Sequence, residues 1–198
     1  MTHFHKAILL IKNFNSKAER NPMDNLKIRK AHADEFDKVL TFYFSVIDAL
    51  EGAEYNLGWV KEVYPSRTLL KNSIEKGELY VGELDKSFAS AMIVNRETND
   101  GYKDAKWETD ASDSEVLVIH ALTTHPDYAG NGFATKMLEK AITLGRESSY
   151  VAIRLDVLKG NFPAERLYRK IGFKYVTTVQ LYYENTGLTD FLLYEYKL

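Results

Sequence analysis

The sequence predicts an α/β fold, a mixed and mostly antiparallel central sheet flanked by helices. Three observations carry that prediction. Leu79–Leu84 and Phe88–Val94 are apolar runs separated only by Asp85-Lys86-Ser87, which reads as an antiparallel hairpin. Glu115–Thr123 is apolar on both faces, the pattern of a central strand covered on both sides. The stretch from Glu115 to Val157 reads strand, helix, strand, which requires a right-handed crossover between parallel neighbours.

The elements follow in chain order. Leu26–Lys30 sets Leu26, Ile28 and Lys30 against Lys27 and Arg29, a short first strand. Ala33–Leu50 places Phe36, Val39, Leu40, Tyr43, Val46, Ile47 and Leu50 at helical spacing. Glu51–Leu57 is a polar loop. Tyr64-Pro65-Ser66 breaks the chain, and Ser66 can cap a helix carrying Leu69, Leu70, Ser73 and Ile74, which Gly77 ends. Arg96–Asp113 has no clear period and reads as a loop, or as the frayed ends of the flanking strands. Within Glu115–Thr123, strict alternation puts Val116, Val118 and Leu122 on one face and Leu117, Ile119 and Ala121 on the other. Gly132–Glu147 is a helix with a stripe of Phe133, Met137, Leu138, Ala141, Ile142 and Gly145. Val151–Val157 is a strand, and Asn161–Ile171 a helix ended by Gly172. Lys174–Tyr183 and Asp190–Tyr196 are two further strands with Glu184–Thr189 between them.

A chain of 198 residues suffices for one domain with a sizeable core. That domain is read as residues 26–198, with residues 1–25 as a loosely attached extension. In the extension, Phe4, Ile8 and Ile11 share a helical face, and Asn13 to Pro22 reads as a linker. A swapped or dimer-contacting arm is the alternative, and a homodimer is the assembly it would serve. The net charge of −2 gives no basic footprint for nucleic acid and no attraction to an anionic membrane. No apolar run approaches the roughly 20 residues that span a bilayer. The absence of cysteine excludes disulfides, thiolate metal sites and a cysteine nucleophile, and fits a cytoplasmic protein.

Two stretches carry chemistry. In HPDYAGNGFATKML, from His125 to Leu138, Ala129, Gly130 and Gly132 crowd into a turn between a buried strand and a helix. Ligands of open α/β sheets bind at such points. The first-turn N–H groups have no helical partner, and the helix dipole adds positive potential. Glycines let those amides approach an anion, and pyrophosphate suits them; a plain strain-relieving turn is the alternative. A nucleotide-binding turn is disfavoured, because the GK[ST] ending is missing and Thr135 replaces the third glycine of G-x-G-x-x-G. In KGNFPAERLYRKIGF, from Lys159 to Phe173, Asn161 is a good N-cap and Pro163 fits a first helical turn. Ala164 and Tyr168 are four apart and share a helix face. A small residue followed by a phenol suits a thin ligand passing the helix, to which the phenol donates a proton. The alternative is a core tyrosine packed with Leu167 and Ile171.

Together these stretches resemble the GNAT superfamily of N-acetyltransferases, and the likeness runs from Leu26 to Leu198, element order included. The family's acetyl-CoA motif, roughly Gln/Arg-x-x-Gly-x-Gly/Ala, falls on Ala129-Gly130-Asn131-Gly132-Phe133-Ala134, with Ala129 where a pyrophosphate-binding arginine or glutamine is usual. Its second motif is matched by Asn161, Ala164, Leu167-Tyr168 and Gly172-Phe173. The resemblance implies acetyl-CoA as co-substrate, no metal, and a small-molecule or peptide amine as acceptor. It implies that the backbone of Leu122, Thr123 and Thr124 pairs with the pantetheine arm. The amides of Gly130, Asn131, Gly132, Phe133, Ala134 and Thr135 would hold the pyrophosphate. Asn161 would contact the cofactor arm, and Tyr168 would lie near the sulfur.

Acetyl transfer to an amine requires that the amine lose a proton, that the oxyanion be stabilised and that the thiolate leave. A phenol of pKa near 10 can protonate a leaving thiolate of pKa about 8.5, the role assigned to Tyr168. His120, with an ordinary pKa of about 6.5, is the candidate base; a hydrogen-bonded core histidine is the alternative. Glu115 is the runner-up base, and a backbone N–H near Leu122 is placed to polarise the carbonyl. His125 reads as a surface turn residue. Glu108, Asp110, Asp113 and Glu115 form an acidic run that either attracts a cationic amine or is a solvated loop. Trp59 and Tyr64 are either acceptor wall or core packing. The competing reading is a non-catalytic acyl-CoA-binding or regulatory module on the same fold.

Overall fold

The computed structural model describes residues 25–55 and 57–198, so the expectation for the N-terminal extension lies outside the described residues. Among the described residues, seven strands form one sheet: β1 Lys27–Lys30, β2 Leu79–Leu84, β3 Ser87–Asn95, β4 Val116–Thr124, β5 Ala152–Leu158, β6 Lys174–Tyr183 and β7 Gly187–Lys197. Their spatial order is β1-β2-β3-β4-β5-β7-β6, and only β4 and β5 run parallel. The helices are α1 Phe36–Ala49, α2 Arg67–Glu75, α3 Phe133–Glu147 and α4 Phe162–Ile171. No helix among the described residues is long and apolar enough to cross a membrane.

Local chemistry explains most boundaries. The Ser66 Oγ accepts the Leu69 N–H at 3.2 Å and starts α2. Asp85 and Lys86 both take positive φ, the geometry that suits a two-residue hairpin turn between twisted strands. The stripe expected on α3 is the buried set of that helix. Its larger apolar side chains contribute roughly 1.5–3 kcal/mol each. Two boundaries differ from expectation. A 3-10 turn at Ala33–Glu35 precedes α1, and β7 begins at Gly187 because the turn after β6 is tighter than its six-residue polar stretch suggests.

The sheet is covered on both faces. One face carries α3 and α4 over Met92, Val94, Leu117, Ile119, Leu155, Val157 and Tyr168. The other carries α1 and α2 over Leu79, Val81, Ala91 and Ile93, with a smaller cluster of Tyr102, Val118, Leu181, Phe191 and Leu193 beside it.

Two irregularities in β4 shape the centre of the molecule. First, Ile93 pairs with His120 but Ala91 pairs with Thr123, so β4 holds one extra residue, a β-bulge. Ala121 there takes φ +49, a left-handed conformation uncommon outside glycine. The bulge corrects the expected alternation. Leu122 packs on the face of Leu117 and Ile119, and Ala121 joins the face of α1 and α2. Second, the parallel pairing of β4 with β5 stops at Val118 and Arg154. Beyond that rung the two strands separate, and among the described residues the edge of β4 toward β5 has no partner strand.

Candidate active site

The separation of β4 from β5 opens a cavity of about 80 Å³ that reaches through the sheet. Ile119, Leu122, Val157, Ala164 and Tyr168 line it from the α3–α4 side. His120, Asp156, Trp59, Tyr64 and Tyr183 line it from the other side. The structure thus brings His120, Leu122, Asn161, Ala164 and Tyr168 together, as the sequence suggested. Trp59 and Tyr64 form part of the wall.

Tyr168 is buried on α4 with its ring 5.9 Å from Phe173 and 5.8 Å from Tyr194. Burial pushes its phenol above the ordinary range, and the Asp156 charge adds to the shift, so it holds its proton firmly until an anion forms beside it. Asn161 caps α4, its Oδ1 accepting the Ala164 N–H at 3.3 Å.

The His120 ring has a defined tautomer. Asn95 Oδ1 accepts the Glu97 N–H at 3.0 Å, which fixes that atom as the acceptor. His120 Nε2 lies 2.9 Å from the same oxygen and must donate to it. In the neutral ring the lone pair is therefore on Nδ1. Burial lowers the His120 pKa, and the charge of Asp156 opposes that shift.

Asp156 is the site residue that sequence reasoning missed. It lies two residues beyond the Val118–Arg154 rung, as His120 does on β4, so the two face the gap from opposite strands. Tyr102 donates to its Oδ2 at 2.8 Å and Tyr183 donates to the same oxygen at 3.0 Å. Burial raises its pKa, against the pull of those two phenols. One signal was available: a lone carboxylate in the otherwise apolar end of AIRLDVL.

The bulge is held from the α1 side. Tyr43, fully buried on α1, donates to the Ala121 carbonyl at 3.0 Å.

The remaining expected residues lie elsewhere. Ala129 to Thr135 sits beyond the end of β4 and does not line the cavity. Gly130 and Gly132 take φ +79 and +77, no side chain among the described residues caps α3, and a Cβ at Gly130 would meet open space. Asn131 turns back to donate to the Tyr128 carbonyl at 3.1 Å, and Phe133 is buried, so both leave only backbone to a ligand. This turn and the unpaired edge of Leu122 to Thr124 fit an extended ligand with an anionic end. Glu115 is exposed at the start of β4, its carboxylate accepting from the Ser112 N–H at 3.0 Å and hydroxyl at 2.7 Å. Those bonds hold its pKa below the usual range. It lies outside the cavity, as do Asp110, Asp113 and Glu108, the last paired with Lys174 at 2.8 Å. His125 Nδ1 accepts the Asp127 N–H at 3.2 Å in the turn after β4.

Comparisons with known proteins bear on the family and the fold. A model of the acetyltransferase (GNAT) family matches residues 46–173. An uncharacterized N-acetyltransferase of Archaeoglobus fulgidus is 25% identical over 143 residues, covering 72% of this chain and 89% of that protein. One of Methanocaldococcus jannaschii is 30% identical over 71 residues, which is 36% of this chain and only 31% of that relative's length. The structure of a Salmonella typhimurium acetyltransferase with its cofactor acetyl-CoA shares the fold, with TM-score 0.63 and 15% identity over 88% of this chain and 94% of that one.

Proposed function

The chain belongs to the acetyltransferase (GNAT) family, and on that premise we propose that it moves an acetyl group from acetyl-CoA directly to a primary amine. The observation that carries this reading is the gap between β4 and β5. Among the described residues it leaves one strand edge unpaired, and it joins Tyr168 on one face of the sheet to His120 on the other.

In this reading the cofactor arm lies along Leu122 to Thr124, adding its amides to the free edge of β4 as a strand would. The first-turn amides of α3, from Gly130 to Thr135, take the pyrophosphate. With Ala129 in place of a long polar side chain, the backbone bears more of that contact. The thioester then reaches the gap beside the bulge at Ala121, and the amine approaches from the side of α1 and α2. His120 Nδ1 removes a proton from the nitrogen. The nitrogen lone pair attacks the carbonyl carbon, the carbon–sulfur bond breaks, and Tyr168 gives its proton to the departing sulfur. A backbone N–H near Leu122 meets the oxyanion. The filled acid and base positions favour an enzyme over a silent acyl-CoA-binding module.

Ligand-dependent melting tests the cofactor. Acetyl-CoA at a hundredfold excess over its Kd should add about 2.7 kcal/mol, several degrees in Tm, while ATP and NAD should add nothing. Coenzyme A release with a panel of polyamines, amino acids, aminoglycosides and peptide N-termini tests the reaction. Tyr168→Phe should lower kcat by about 10²–10⁴-fold; unchanged turnover would remove Tyr168 from its role.

A further inference from the structure

The cavity is unevenly charged. Among the described residues its lining holds one carboxylate, Asp156, one imidazole, His120, and no lysine or arginine. Among the described residues Asp156 forms no ion pair with lysine or arginine; its Oδ2 is stabilised only by the neutral phenols of Tyr102 and Tyr183. His120 does not supply the missing charge, because burial favours its neutral ring. A carboxylate withdrawn from water without a cation is costly, and a bound cation removes that cost. Oδ1 accepts from neither phenol and is the oxygen available to an occupant of the cavity.

The rest of the wall suits the same ligand. Trp59, Tyr64 and Tyr183 stand in a row, with ring centroids 5.9 Å and 6.0 Å apart. Aromatic faces attract an organic cation most strongly where water is excluded. Asn185, in the β6–β7 turn, donates to the Gly58 carbonyl at 2.5 Å, so two loops distant in sequence meet beside this wall.

We propose that Asp156 is the seat of the acceptor's charged nitrogen, so that the site selects primary amines arriving as alkylammonium ions over neutral counterparts. This inference rests on the acetyl-transfer reading and names its substrate class. The ammonium binds to Oδ1 opposite His120, across the gap from Tyr168. One proton passes to His120 Nδ1 and on to solvent. The freed lone pair forms the carbon–nitrogen bond as the carbon–sulfur bond breaks. Tyr168 protonates the sulfur and regains a proton from the nitrogen as the amide forms. Asp156 remains a carboxylate throughout.

Binding of n-butylammonium chloride tests the inference without relying on turnover, with n-butanol as the neutral counterpart. The readout is tryptophan fluorescence, since Trp59 lines the cavity while Trp107 stacks on Arg154 outside it. The wild type should show a saturable change with butylammonium and none with butanol. Asp156→Asn should raise the Kd by at least about tenfold, and Asp156→Glu should recover part of the loss. An unaltered acetyl-CoA-dependent rise in Tm shows that the variant is folded. Equal butylammonium binding in Asp156→Asn, or an equal response to butanol, overturns the proposal. The kinetic counterpart is a KM for butylamine raised by about tenfold with kcat changed far less. Coenzyme A release with an unchanged KM in Asp156→Asn overturns this proposal alone. Butylammonium binding in a wild type that transfers acetyl to no amine overturns the transfer reading instead.

Discussion

At the scale of the residue, His120 illustrates how two neighbours decide what a side chain can do. Asn95 commits Nε2 as a donor and leaves Nδ1 to accept a proton. Burial disfavours the imidazolium, so the ring titrates below the ordinary histidine range. The direction for activity follows. With saturating amine, kcat should hold as pH falls to about 6.5 and decline only below it. His120→Gln should remove that limb from the kcat–pH profile. Asp156→Asn should move it to lower pH, because the carboxylate is what stabilises the imidazolium. An unaltered profile in His120→Gln would place the base elsewhere. The stability sign is consistent. The unfolded chain binds the His120 proton more readily than the folded one, so this residue's contribution falls as pH drops through about 6.5. His120 and Tyr168 were legible as residues of this cavity because one interrupts an apolar strand and the other lies within a motif. Asp156 was not, since the phenols that define its environment come from positions 54 and 27 residues away.

At the scale of the element, β4 departs from the regular strand its apolar pattern predicts. The bulge at Ala121 turns His120 and Leu122 to opposite faces with an extra residue between them, which lets one strand serve both sides of the gap. A left-handed alanine costs about 1–2 kcal/mol, and Tyr43 offsets that cost by binding its carbonyl. Tyr43→Phe leaves a buried carbonyl without its donor. Denaturant unfolding should show a loss of about 1–3 kcal/mol, and kcat should fall with Tyr168 and His120 intact. Normal stability and turnover would mean that the bulge holds without Tyr43. Apolar periodicity located this strand correctly but could not reveal the bulge, because alternation in a run apolar on both faces carries no register signal.

At the scale of the whole molecule, the gap needs a firm end. Arg154 lies on the last rung that joins β5 to β4, and its Nε binds Glu195 Oε2 on β7 at 2.9 Å, both side chains almost wholly buried. Thr109 closes the arrangement. Its carbonyl accepts from Arg154 at 3.0 Å and its N–H donates to Glu195 at 2.8 Å, while Trp107 lies over the guanidinium at 4.3 Å. The polar stretch before β4, read from sequence as a loop or frayed strand ends, is thereby tied to the centre of the sheet. Glu195→Gln leaves Arg154 charged and uncompensated, and urea unfolding should report a loss of about 3–5 kcal/mol. Replacing both partners, as Arg154→Met with Glu195→Leu, should lose less. Equal losses in the two variants would show that packing, and not the uncompensated charge, sets the cost.

Sequence by itself determined the order of the elements, the two-faced burial of the central strand and the motif residues from Ala129 to Ala134 and from Asn161 to Phe173. These depend on local periodicity, capping and spacing, which neighbours along the chain specify. Only the tertiary structure decided where β4 and β5 part, which residues face across the gap, and that Asp156 is the carboxylate inside it while the acidic run before β4 stays outside. Those outcomes depend on strand register and on partners far apart in sequence, and a two-residue periodicity shared by every strand contains neither.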